Sequence, residues 1–318
     1  MILLCGIPSE TSLRLVHDEV CRLGAPSLLL NQRWVAEVRM DCEIVNGHVG
    51  GCLAVRGSDY PLDAFDGVLI RMMDDRELPE VKADPALLGH SRALHDALYH
   101  WCQIAPGRVL NRPDAMASNG SKPYQAQLIA AQGIGVPATL VTTDPAEVLA
   151  FRSQWGRVVY KSVSGARSVV RELGDDDLDR LDDIRWCPVQ FQQHVEGVDV
   201  RVHVIGEEVF ATAISSGATD YRYAAREGGD PAALRPLDLP DELAGRCVRL
   251  TAALGLGFSG IDLRLTPDGE AVCFEVNPSP AFSYYEANTG QPIAAAVARY
   301  LADTSLRATS GRPLTGAR

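Results

Sequence analysis

Ser259-Gly260-Ile261-Asp262-Leu263-Arg264, then Thr266-Pro267-Asp268-Gly269-Glu270, then Phe274-Glu275-Val276-Asn277-Pro278, is the stretch on which the reading of this chain turns. Asp268-Gly269 is a two-residue hairpin signal, because both residue types tolerate positive φ. With that pair as the turn, Pro267 faces Glu270, and counting outward sets Asp262 opposite Glu275. Side chains alternate along a strand, so Glu275 and Asn277 share one face. Two carboxylates and one amide oxygen then converge on one side of the hairpin. Such a cluster repels itself unless a cation sits in it. Oxygen donors of this kind suit Mg²⁺. The competing reading is a pair of solvated charges, the usual state of acids on a hairpin. Apolar flanks at Phe258, Ile261, Leu263, Val272, Phe274 and Val276 bring the metal reading level with it.

The rest of the chain sets the frame. Its 318 residues suggest two or three structural lobes. An apolar fraction of 46% with 22% charged residues is ordinary for a globular protein with a full core. No apolar run is long enough to span a membrane, and Met1-Ile2-Leu3-Leu4-Cys5-Gly6 reads as the start of a strand and not as a signal peptide. A net charge of −11 argues against nucleic acid as a partner, since phosphate binding needs a basic surface. The eight cysteines form no CxxC pair and complete no zinc pattern with histidine. Several lie inside apolar runs, so a reducing cytoplasm is the expected compartment.

Residues 1–30 read as β-α-β, with Thr11 or Ser12 as helix cap and Leu13, Val16, Val20 and Leu23 on one face. That start builds a parallel sheet. Short strands are expected around 43–45 and 52–55, separated by Asn46-Gly47. Another, at 67–71, leaves Arg71 at the carboxyl edge where open α/β sheets bind ligands. Helices are expected at 86–104, 122–132, 145–154, 241–254 and 292–301, and strands at 109–110, 138–142, 158–162, 169–172, 189–191, 199–205 and 208–214. The stretch 215–229 is Gly-rich and expected to be mobile. The tail 304–318 is expected to be disordered.

In this order the segments at 108–303 resemble the ATP-grasp ligases, in particular the RimK-type glutamate ligases and the microviridin-type peptide-modifying ligases. Asn111-Arg112-Pro113 with Ser121-Lys122 resembles the segment carrying the family's first ATP lysine, ahead of the step Gly133-Ile134-Gly135-Val136-Pro137-Ala138-Thr139. Val159-Tyr160-Lys161 resembles the strand with the second. Gln192-Gln193-His194-Val195 resembles the hinge whose backbone pairs with adenine. Asp199-Val200-Arg201 resembles the acidic-x-Arg step, whose acid takes the ribose and whose Arg meets the terminal phosphate. Asp262, Glu275 and Asn277 fall on the family's Mg²⁺ ligands, and Glu286 through Thr289-Gly290-Gln291-Pro292-Ile293 resembles the microviridin-type end. The resemblance implies an α/β (α+β) ATP-grasp fold. Its expected parts are a Rossmann-like pre-ATP-grasp lobe at 1–110, a lysine-bearing subdomain at 111–188 and a Mg²⁺-bearing subdomain at 189–303.

The chain departs from the family in two places. The loop after Lys161 is short, lacks a Gly-Gly run and carries Arg167. Ser216…Thr219-Asp220-Tyr221-Arg222 replaces the RimK-type basic segment, and Arg222 is expected at the phosphate or acyl phosphate.

The implied activity is an ATP- and Mg²⁺-dependent carboxylate–amine ligation through an acyl phosphate, with Mn²⁺ as an alternative metal. Arg201, Lys161 and Arg222 are the expected catalytic cations, because charge on the transferring phosphoryl group must be met. Arg71, Arg112 and Arg222 are candidates to hold a substrate carboxylate, and Tyr284 and Tyr285 to wall the pocket. Each of these has a bland alternative: a lysine on a strand is normally a solvated charge, Arg201 could pair with Asp199, and His194 reads as packed. The expected partners are a small acid and amine or a substrate peptide, with a homo-oligomer as the default state. A small-molecule kinase on the same scaffold and a non-catalytic ATP-binding module are the alternatives.

Overall fold

In the computed structural model, which describes residues 1–163, 170–215 and 232–303, the apolar N-terminal run is β1 (Ile2–Gly6), buried along its whole length. It leads through α1 (Thr11–Arg22) to β2 (Ser27–Asn31). Glu10, and not Thr11 or Ser12, caps this helix. Its carboxylate accepts the Leu13 N–H at 2.6 Å, satisfying a donor that a helix start leaves unpaired. β3 (Val38–Val45) and β4 (His48–Val55) meet at Asn46-Gly47, both at positive φ (51° and 80°), as the tightest hairpin turns require. With β5 (Ser58–Pro61) they form a separate antiparallel sheet. β6 (Gly67–Arg71), α2 (Pro79–Ala83), α3 (Leu87–Ile104) and β7 (Arg108–Leu110) follow. The parallel sheet is ordered β2-β1-β6-β7, as the β-α-β start leads one to expect.

α4 (Pro113–Met116) and α5 (Lys122–Ala131) lead to β8 (Thr139–Thr142), α6 (Pro145–Trp155), β9 (Val158–Ser162), β10 (Arg171–Glu172), α7 (Asp175–Leu178) and β11 (Val189–Gln193). These strands make an antiparallel sheet ordered β10-β9-β11-β8. The third main sheet uses β12 (Val198–Ile205), β13 (Glu208–Ser215), β14 (Ala233–Leu237), β15 (Phe258–Leu265) and β16 (Ala271–Asn277), with α8 (Asp241–Ala253) before β15. Its order is β14-β13-β12-β15-β16. The sequence reading missed β14 because Pro236 interrupts it. β14 is an edge strand, where a missing N–H need not break the ladder.

α9 (Ser283–Thr289) and α10 (Ile293–Ala302) end the described chain. In α10, Ile293, Ala294, Ala296, Val297, Ala298 and Leu301 are wholly buried. They share one core with Leu4, Leu13, Val16, Val20 and Leu69. The last helix therefore completes the core of the first lobe, which no local pattern in residues 1–110 announces.

Arg112 is a correction. Expected to hold a substrate carboxylate, it instead donates to the carbonyls of Cys102, Gln103, Ala105 and Gly107 at 2.8–3.1 Å. Its fork closes the end of α3, where the last carbonyls lack helical partners. Arg112→Ala is expected to destabilise the protein by about 2–4 kcal/mol in denaturant unfolding, by orphaning those acceptors, with nucleotide affinity unchanged. All eight cysteines are free thiols. No helix among the described residues is long and apolar enough to cross a membrane. The expected mobile stretch at 215–229 (from residue 216 on) and the tail 304–318 lie outside the described residues.

Candidate functional site

Asp262 and Glu275 are paired across β15 and β16, as expected, but by a different route. The turn is not the two-residue Asp268-Gly269. Thr266 N–H donates to the Glu270 carbonyl at 2.9 Å and Gly269 N–H to the Thr266 carbonyl at 2.9 Å, with Gly269 at φ 85°. Pro267 therefore does not face Glu270, and the arms nearest the turn are one residue out of the counted register. A β-bulge between Asp262 and Leu263 then restores it: Leu263 pairs with Cys273, and Asp262 with Glu275. Phe274 is the extra residue. The bulge also explains why Cys273 and Val276, three apart, are both buried (1% and 0% exposed) while Glu275 and Asn277 remain accessible.

Each carboxylate meets a cation of the chain. Arg201 pairs with Asp262 in the β12–β15 ladder, and its Nη1 lies 2.6 Å from Asp262 Oδ1. The guanidinium is buried over the Tyr285 ring, 5.8 Å from its centroid. It also lies flat against Gly260, where a Cβ would sit 2.6 Å from Arg201 Cζ and 2.7 Å from Pro280 Cβ. Only glycine leaves that slot open. Lys122, the first residue of α5, sets its Nζ 3.1 Å from Glu275 Oε2. Burial pushes the Glu275 carboxyl up, but the charge and hydrogen bond of Lys122, then the charges of Lys161 and Arg201, outweigh it and hold it below its ordinary value.

Lys161 stands on β9 and lines the same cleft as Glu275, between the second and third sheets. Gln192, Gln193, His194 and Val195 line it too. The Gln192 amide donates to Thr139 Oγ1 at 3.0 Å, and the N–H groups of Gln193 and His194 donate to Ala138 and Arg157 carbonyls at 2.9 Å. Burial and then the charges of Arg157 and Arg264 hold the His194 pKa below its ordinary value. Arg264 binds Asp199 through Nε (2.8 Å) and Nη2 (2.6 Å), and the Val195 carbonyl through Nη1 (2.7 Å). It also lies 5.3 Å from the centroid of Phe274. The acid expected at the ribose is thus oriented by an arginine that the sequence reading passed over. Its signal was available: Arg264 follows Asp262 by two and so shares its face.

Gln125 was also missed. It is 2% exposed and bonds both main-chain groups of Val276, the residue between Glu275 and Asn277.

Other expected residues are placed away from these contacts. Arg71 binds Glu10 (3.1 and 3.2 Å) and the Pro280 carbonyl (3.1 Å), joining β6 to the loop after β16. Tyr284 is half-exposed beside Tyr285. Arg167 and Arg222 lie outside the described residues.

The donor set fits Mg²⁺. It is two carboxylates and an amide, all hard oxygen donors, with Asp262 and Glu275 side chains 34% and 27% exposed and so reachable. Asn277 Oδ1 accepts the Ser279 N–H at 2.9 Å, leaving one lone pair for an ion. Among the described residues no group of three His, Cys, Asp or Glu side chains forms a metal cluster.

The chain is similar to known proteins along most of its length. Residues 119–301, more than half of the chain, match the family model described as RimK-like ATP-grasp domain. A protein of Xanthomonas euvesicatoria pv. vesicatoria named "Probable alpha-L-glutamate ligase" is 29% identical over 212 residues, 63% of this chain and 70% of that one. The RiPP-associated ATP-grasp ligase of Chryseobacterium gregarium, solved with ADP and a leader and core peptide, superposes with a TM-score of 0.79 at 22% identity, covering 96% of this chain and 97% of that one. The ATP-grasp ligase PsnB, solved with a phosphomimetic variant of its minimal precursor, Mg and ADP, superposes at 0.77 with 25% identity, covering 94% and 97%.

Proposed function

This chain belongs to the RimK-like ATP-grasp family and is an ATP-dependent carboxylate–amine ligase, and on that premise we propose that its substrate is a carboxylate side chain of a peptide. PsnB supports the peptide reading: it was solved with its precursor and covers 94% of this chain, first lobe included. Glutamate-ligase relatives align in sequence over 60–77% of this chain.

The carboxylate attacks the γ-phosphorus of ATP, and the bond to the bridging oxygen breaks, giving an acyl phosphate and ADP. An amine then attacks the acyl carbon, inorganic phosphate leaves, a proton is released, and an amide remains. Asp262, Glu275 and Asn277 would hold Mg²⁺, and Mn²⁺ suits the same oxygen donors. The ion supplies charge neutralisation at the phosphate oxygens. Lys122 and Lys161 meet the phosphates as compact charges. Arg201, already oriented by Asp262, Tyr285 and Gly260, presents a planar fork to the phosphoryl group in transfer. The hinge takes adenine. With the N–H groups of Gln193 and His194 engaged, the base contact falls to Val195 N–H. Eight free thiols support a reducing, cytoplasmic compartment.

The observation that carries the phosphoryl-transfer part of this reading is the Asp262–Glu275 pair with the charges of Lys122, Lys161 and Arg201 acting on Glu275. The test mixes protein, ATP and Mg²⁺ with peptides containing Asp or Glu, with and without an internal lysine, and adds hydroxylamine to trap the acyl phosphate. ADP release with hydroxamate on the peptide is the expected result. Hydroxamate only on free small acids would replace the peptide by a small-molecule substrate. A phosphorylated product that survives without any amine would mark a kinase.

A further inference from the structure

Gln125 stands on α5 three residues after Lys122, so the two side chains share one side of the helix. Its amide makes a two-way contact with one residue of β16: Nε2 donates to the Val276 carbonyl at 2.8 Å, and Oε1 accepts the Val276 N–H at 2.9 Å. β16 is the edge of its sheet. The main-chain groups of Val276 point away from β15 and would be left without partners. The Gln125 amide takes the place of a missing neighbouring strand. The residues on either side of Val276 are Glu275, which lines the cleft, and Asn277, which shares its side of the strand by alternation. The same helix delivers Lys122 Nζ to Glu275 at 3.1 Å. One helix thus grips the metal strand at two points. One is a charge on the carboxylate, and the other a neutral amide on the backbone between two oxygen donors.

We propose that Gln125 is a positioning residue that fixes the spacing of Glu275 and Asn277 for the divalent cation. The proposal rests on the metal role given above to Asp262, Glu275 and Asn277. Gln125 touches neither the metal nor the nucleotide. It acts through the Val276 peptide groups, much as partners behind metal ligands orient those ligands elsewhere, where their loss typically weakens metal affinity 10- to 100-fold. Gln125 is 2% exposed, so its two bonds are shielded from solvent.

The experiment measures Mn²⁺ binding to the full-length protein with ADP by electron paramagnetic resonance, and ADP binding alone by calorimetry in EDTA. Gln125→Leu removes both bonds. Gln125→Met keeps the length of the side chain, adds no charge and likewise loses both bonds, so it probes the latch without repacking. Thermal melts establish that the variants are folded. Both variants are expected to bind Mn²⁺ about 10- to 100-fold more weakly, with metal-free ADP affinity unchanged. Folded variants that bind Mn²⁺ as tightly as the parent overturn the role of Gln125. The control is Glu275→Gln. If that substitution weakens Mn²⁺ binding and the Gln125 variants do not, only this inference falls. If Glu275→Gln leaves Mn²⁺ binding intact, the metal site itself falls and this inference with it.

Discussion

Arg201→Ala is expected to slow acyl-phosphate formation by about 10³-fold or more, the range in which loss of an arginine facing a transferring phosphoryl group lies. The fork is held in place before substrate arrives: Asp262 binds Nη1 at 2.6 Å, Tyr285 lies beneath, and Gly260 leaves the slot for it. Preorganised charge of this sort is not reoriented during the reaction, which is why its loss is felt in the chemical step more than in nucleotide binding. Arg201→Lys is not expected to rescue the loss, because an ammonium cannot present two parallel donors. Gly260→Ala gives a second route to the same result. Its Cβ would collide with the guanidinium and with Pro280 Cβ, and the flexible arginine end would give way first. Quench-flow measurement of ADP, with hydroxamate trapping, checks both. An Arg201→Ala rate within tenfold of the parent removes Arg201 from the phosphoryl group.

Glu275→Gln is the second large effect. Three cations, Lys122, Lys161 and Arg201, act on this carboxylate. Gln keeps the shape, removes the charge that offsets them, and removes a metal ligand. Turnover is expected to fall about 10³-fold, the scale of several kcal/mol that a correctly held ion contributes to phosphoryl transfer. The same site has an acid signature. The folded-state pKa of Glu275 lies below its ordinary value of 4.5. Its contribution to stability is therefore complete above that value and is lost as pH falls through the lower folded value. The stability gap between parent and Glu275→Gln is expected to stay constant from neutral pH down to about pH 5 and to narrow only below the ordinary carboxylate range. Denaturant melts over that interval read it directly. A gap that closes above pH 5 means that the cations do not act on Glu275.

Asp262 and Glu275 illustrate what was legible and on what grounds. Alternation and the Asp-Gly turn signal put them opposite each other, and they are opposite. The count worked because two one-residue offsets cancel: a longer turn from Thr266 to Glu270, and a bulge at Phe274. Neither is visible in residue types, since a bulge is set by how the sheet must twist against its neighbours. Gln192–Val195 and Lys161 were picked out by their resemblance to family motifs and not by a strand pattern, and all of them line the cleft beside Glu275. Arg112 misled the reading because an arginine shows a charge in sequence whether it ends on a ligand or on helix carbonyls.

The order of chemical groups along the chain follows from the amino acids alone, and so does the side they occupy on every regular strand or helix, because backbone alternation and helical spacing are local; the bulge at Phe274 breaks that rule on β16. Which opposite charges meet was decided only by the folded arrangement. Arg201 takes Asp262, Arg264 takes Asp199, Lys122 takes Glu275, and α10 returns to close the first lobe. Ion pairs and core contacts form between residues tens to hundreds of positions apart. At hydrogen-bond distance a shift of one residue changes the partner, and only the packed sheets hold every register at once.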